Sequence, residues 1–167
     1  VSYLNPPWFL LFIAPFCILT PKLSILFWLL ANIAMLLGAG IFIWKANAPN
    51  RWQPYYCAIA SLMFFPLYES LEWGQASIFV LFSVAGFIWA YSSKKDFLAA
   101  AFLVLSTVKF HLLYLFYLFV LYCFFKEKRF KVLYSASILF VAVISLSHLI
   151  SNDIVSNWID HLSFIQG

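Results

Sequence analysis

Charge is what this sequence has least of. Asp, Glu, Lys and Arg make up 10% of its 167 residues, against roughly a quarter in an ordinary soluble domain. That scarcity excludes a water-facing surface over most of the chain. The formal charge of +4 is too small and too dispersed to suggest a nucleic-acid partner. Cys17, Cys57 and Cys123 lie inside apolar runs, and no pair has redox or metal-ligand spacing. They read as small apolar residues without a function. There is no glycine-rich phosphate loop, no nucleophile elbow and no Ser/His/Asp order. His148 and His161 have no partners at metal spacing, so neither a metal site nor a cofactor is expected. No initiator Met or signal-peptide pattern stands at Val1. The chain therefore reads as an interior piece of a longer protein, with 1–167 forming a single transmembrane domain.

What is present is apolar. Hydrophobic residues reach 65% and aromatics 22%, and lipid is the solvent that such a surface fits. Apolar runs cover Trp8–Thr20, Leu23–Trp44, Tyr55–Pro66, Ala76–Tyr91, Phe97–Val108, Leu112–Phe125 and Val132–Ile150. Only the second and the last approach the roughly 20 residues that cross a hydrocarbon core. The others are short and interrupted by proline or polar residues. Open backbone in lipid costs several kcal/mol per group, so the runs must be helical and each break must face protein or a wet cavity. The expected fold class is an all-α polytopic membrane bundle of short broken helices and helical hairpins.

The few basic residues are ordered. Lys45 and Arg51, Lys94 and Lys95, and Lys126, Lys128, Arg129 and Lys131 place eight of the ten in three short connections. The positive-inside bias puts those connections in the cytoplasm. The stretches between them then become two hairpins, turning at Phe64–Gln75 and near Thr107–His111. Glu69, Glu72, Asp153 and Asp160 fall on the outer side, and only Asp96 and Glu127 fall inside. Trp8, Trp44, Trp52, Tyr55, Tyr56 and Trp158 fit interfacial belts.

Lys109 is the most informative residue, because its flanks are apolar on both sides. A lysine near a bilayer centre costs roughly 2.5–3.5 kcal/mol on the lenient insertion scale, and such residues mark a site or an ion pair. The bland alternatives are a pair with Glu69 or Glu72, or an ammonium that snorkels to the interface. His111 shares a cavity with Lys109 only if the helix breaks between them; otherwise it is a packing residue. Glu69 and Glu72 fall on one face of a helical turn; Glu72, beside Trp73 at the presumed edge, reads as solvated, while Glu69 suits a ligand or a solvated loop equally. Gly74 and Gln75 ahead of a helix offer backbone N–H groups and an amide for a hydroxyl-rich or anionic ligand.

Three spaced signatures, NPPWFLLFIAPFCILTP, FFPLYESLEWGQAS and STVKFHLLYLF followed by a basic loop, together resemble the C-type membrane glycosyltransferases. The similarity is to the polyprenyl-phosphate-mannose-dependent mannosyltransferase-like family, glycosyltransferase family 87. Pro6, Pro7, Pro15, Pro21, Pro66, Glu69, Gly74, Gln75 and Lys109 fit its order and spacing. Ser77 stands where the family prefers Asn, and Phe110 where it prefers Pro. The resemblance implies transfer of a sugar, a hexose such as mannose, from a polyprenyl-phosphate donor to an extracytoplasmic glycan or glycolipid acceptor. It implies a multi-pass protein of the bacterial plasma membrane with its active side outside. Lys109 and His111 would then bind the donor phosphate, and Glu69, Gly74 and Gln75 the sugar or acceptor. The catalytic base would be an Asp upstream of Val1, leaving this chain inactive alone. Two other classes compete: a transporter or flippase, whose broken helices also hold midplane sites, and a structural subunit in which Lys109 pairs with a carboxylate.

Overall fold

A computed structural model describes residues 6–47, 56, 59 and 76–150. Every element among them is helical, which is the expected fold class. A 3-10 turn, Pro7–Phe9, leads into α1 (Leu10–Cys17), followed by α2 (Pro21–Asn47), α3 (Ser77–Ser92) and α4 (Asp96–Ser106). A second 3-10 stretch, Thr107–Leu112, separates α4 from α5 (Tyr114–Glu127), and α6 (Phe130–Ile150) closes the described chain. The first apolar run is thus split. Proline at the start of the 3-10 turn fixes φ without losing a needed donor, and Pro15 inside α1 removes a hydrogen bond near its end. Ser24 on α2 donates to the Phe16 carbonyl at 2.7 Å, tying the two segments together.

Length decides which helices can cross a bilayer unaided. α2 has 27 residues and α6 21, or about 40 and 32 Å at 1.5 Å per residue. Both are apolar enough to span. By the same rise α3, at 16 residues, is about 24 Å long. Serine hydroxyls within these helices donate back to carbonyls four residues earlier: Ser83 to Phe79 at 2.7 Å, Ser147 to Val143 at 2.9 Å. An apolar helix can then carry serine without exposing an unpaired donor.

α3 is the centre of the bundle, packed between α2 and α4, and α4 in turn packs on α6. Glycine sets two of the approaches. A Cβ on Gly38 of α2 would lie 2.8 Å from the Phe82 ring, and one on Gly86 of α3 would lie 2.5 Å from Phe102. Small residues that admit a neighbouring ring are how helices pack where lipid gives no hydrophobic drive between them. Phe42 stacks on Trp89 at 4.9 Å and meets Phe102 edge-on at 5.4 Å. Consecutive α5 and α6, by contrast, touch only sparingly.

The described parts of the three basic connections meet at one end. Lys45 and Lys95 sit over the same Trp89 ring, at 5.7 and 4.5 Å from its centroid. Arg129 pairs with Asp96 and donates to the Tyr91 carbonyl at 2.7 Å, with its guanidinium over the Tyr91 ring. Tyr91 in turn donates to Glu127 at 2.9 Å. Asp96 and Glu127, the two carboxylates assigned to the basic side, are therefore both there and both engaged.

Candidate functional site

At the opposite end lie the start of α3, the stretch after α4 and the first 3-10 turn. α4 runs as a regular helix to Ser106, then narrows to 3-10 geometry and breaks at Lys109, whose φ of −129° and ψ of 58° are non-helical. The break forms although Phe110, not proline, follows. Three hydroxyl bonds hold it. Ser106 donates to the Leu103 carbonyl at 2.7 Å and Thr107 to Val104 at 2.6 Å. Ser106 has spent its proton there, so at 2.8 Å the Tyr117 hydroxyl is the donor between them, pinning the returning helix α5. A hairpin results that turns at the end remote from the basic connections, with Phe110, His111 and Leu112 exposed at its apex.

Lys109 is half-buried, and its ammonium donates to the Ser77 hydroxyl at 3.0 Å. Ser77 is the first residue of α3, which begins without a side-chain cap. The cation therefore lies beside the positive end of a helix, a combination that favours an anion. Among the described residues no carboxylate comes within ion-pair distance of Lys109; the ion pairs found are those of Arg129 at the other end. The pairing with Glu69 or Glu72 falls on residues outside those described.

Trp8 completes this end. Read from the sequence as an interfacial residue, it is instead buried, with its indole N–H donating to Thr107 at 3.1 Å and its ring against Phe140 at 5.2 Å. Two prolines just before it aim the chain inward, and the hydroxyl of Thr107 gives the N–H a partner. Behind it Phe9, Phe79 and Val108 form a small buried cluster.

Of the residues singled out by sequence, the structure places two. Lys109 reaches Ser77. His111 is exposed, its ring edge-on to Phe110 at 5.9 Å. Glu69, Gly74 and Gln75 lie outside the described residues, although Gln75 is only two positions before Ser77 in the chain. Ser77, Thr107 and Trp8 carry contacts that sequence reading did not assign. Ser77 had one signal, its place in the Gly-Gln-Ala-Ser signature; Thr107 and Trp8 had none specific enough to pair them across 99 residues.

A family model described as glycosyltransferase family 87 matches residues 3–167. The chain belongs to glycosyltransferase family 87. No curated protein and no solved structure matches it. A family 87 chain is a membrane glycosyltransferase. α2 and α6, long and apolar enough to cross a bilayer, suit that setting. The proline, Gly-Gln and lysine signatures all fall within the matched residues.

Proposed function

We propose that this family 87 glycosyltransferase takes its sugar, a hexose such as mannose, from a polyprenyl-phosphate donor, and that Lys109 holds the departing phosphate. The acceptor is an extracytoplasmic glycan or glycolipid. The observation that carries the reading is a lysine at a helix break, held by a neutral hydroxyl, at the end remote from the basic connections. With that basic end in the cytoplasm, Lys109 belongs to the outer half of the bundle.

A lipid-phosphate sugar supplies its own leaving group. The acceptor hydroxyl oxygen attacks the anomeric carbon, and the bond from that carbon to the phosphate oxygen breaks. The electron pair stays on the phosphate. An ammonium already fixed beside that oxygen in a low-dielectric cleft stabilises the charge as it develops, without reorganisation. Ser77 keeps the ammonium in place, and the start of α3 adds its dipole. His111 provides a second donor to the phosphate, and Glu69, Gly74 and Gln75 orient the sugar. The acceptor's proton passes to a carboxylate base beyond the described residues.

The test is sugar transfer by the full-length protein in membranes, with radiolabelled polyprenyl-phosphate sugars as donors and nucleotide sugars as the control. Incorporation from the lipid donor, lost in Lys109→Ala, is the expected result. Incorporation from nucleotide sugars alone, or undiminished transfer by Lys109→Ala, overturns the reading.

A further inference from the structure

α5 and α6 diverge from the corner that joins them, and an apolar groove of about 260 Å³ lies between them against α4. Val120 and Phe124 line it from α5, Leu133, Ala136 and Phe140 from α6, and Thr107 closes its upper end. From Tyr117 to Phe124 it follows α5 for seven residues, about 10 Å of helix. Every hydroxyl on its wall is already committed: Thr107 to Val104, Tyr117 to Ser106, and Ser137 to the Leu133 carbonyl at 3.0 Å. The groove offers no donor to a polar ligand, so its chemistry fits a hydrocarbon chain.

The lower end of the groove, at Phe124 and Leu133, lies beside the α5–α6 corner, where cations outnumber carboxylates among the described residues. Among the described residues, Lys45, Lys94, Lys95, Lys126, Lys128, Arg129 and Lys131 share this end of the bundle with two carboxylates, Asp96 and Glu127, and Arg129 and Tyr91 occupy both. Lys128 and Lys131 are exposed and within about one helical turn of Phe124 and Leu133. The backbone adds an independent sign. Lys128 ends α5 at φ 55°, and Lys94 follows α3 at φ 57°. Each is followed by an amide bonded to the carbonyl five residues back, Arg129 to Phe124 at 3.1 Å and Lys95 to Ala90 at 2.9 Å. This left-handed helix ending favours glycine, yet both positions carry an ammonium at a steric cost.

We propose that the α5–α6 corner binds an anionic phospholipid, its headgroup on Lys128 and Lys131 and one acyl chain in the groove between α5 and α6. The site is separate from the one around Lys109 and does not rest on the identity of the sugar donor. The neighbouring α3–α4 corner has the same left-handed lysine, but its residues do not line this groove, so Lys94 serves as a control for charge alone.

Glycine substitution separates charge from fold, because it removes the ammonium at a position where the backbone prefers glycine. The experiment is native mass spectrometry of the delipidated full-length protein, titrated with phosphatidylglycerol and with phosphatidylcholine. Lys128→Gly should weaken phosphatidylglycerol binding about fivefold, the share of one surface lysine in holding an anionic headgroup, and leave phosphatidylcholine unchanged. Ala136→Phe, which fills the groove, should weaken both lipids. Lys94→Gly should leave the site intact. Equal losses from Lys94→Gly and Lys128→Gly would mean diffuse surface charge and overturn the site. Unchanged lipid binding in Lys128→Gly, with Ala136→Phe raising only the KM for the polyprenyl donor, would give the groove to the donor and also overturn it.

Discussion

The two ends of the bundle handle charge in opposite ways. At the basic end, Arg129 gathers Asp96, the Tyr91 carbonyl and the edge of Glu127, while Lys45 and Lys95 share the Trp89 ring. At the other end the Lys109 ammonium rests on a hydroxyl beside the start of a helix. The first arrangement engages Asp96 and Glu127 and closes the α3–α4 and α5–α6 corners, with lysines left over. The second sets the Lys109 ammonium on a neutral hydroxyl, in a backbone that has left helical geometry. Arg129 and its partners fasten two corners of the bundle, whereas Lys109 has no carboxylate within ion-pair distance among the described residues.

The sharpest way to break the contrast is at Lys109. Lys109→Ala in the full-length protein should lower kcat for transfer from the lipid donor by about 100-fold or more, in line with loss of one preorganised transition-state contact. Its unfolding midpoint should stay near the parent's, since no ion pair among the described residues is lost. Arg129→Ala should do the reverse. Stripping Asp96 and the Tyr91 carbonyl of a charged donor should cost about 2–3 kcal/mol, read as a lower midpoint in detergent unfolding. The transfer rate measured well below that midpoint should hold.

Between these extremes, Gly86→Ala places a methyl group into the Phe102 ring and should cost about 1–3 kcal/mol through overpacking, again visible in unfolding and not in donor selectivity. Ser77→Ala removes the oxygen that holds the Lys109 ammonium. Loss of one hydrogen bond to a charged group is worth about 1.5 kcal/mol or a little more, so transfer should fall about tenfold. Ser77→Asn, which restores an acceptor, should recover most of it. A Ser77→Ala enzyme as active as the parent would show that Lys109 positions itself without α3. The smallest effect is expected at Lys94→Gly, which relieves a left-handed backbone and should raise stability by up to about 1 kcal/mol. A loss instead would show that the lysine contributes to the fold at that corner.

The fold was legible where a single physical rule acts on a run of residues. Long apolar segments have to be helical in lipid, and α2 and α6 follow from Leu23–Trp44 and Val132–Ile150 with their ends extended by a few residues. The clustering of Lys45, Lys94, Lys95 and the Lys126–Lys131 loop placed three connections at one end before any contact was known. The site was legible only in part. Lys109 stands out because an isolated cation in an apolar run needs a reason. Trp8 does not, since tryptophan suits both an interface and a core, and the choice depends on Thr107 being within reach.

Composition and periodicity by themselves determined that this chain is a helical membrane bundle and which connections share a side, and they singled out Lys109 as a cation in need of a reason. These are statements about transfer into lipid, a property that each segment has alone. Tertiary structure decided that Lys109 meets Ser77 and not a carboxylate at the described end of α3, and that Trp8 is buried. It also decided that α5 and α6 part around a groove with lysines at its mouth. Those outcomes depend on which helices lie beside one another and how closely Gly38 and Gly86 let them approach, and no segment carries that information alone.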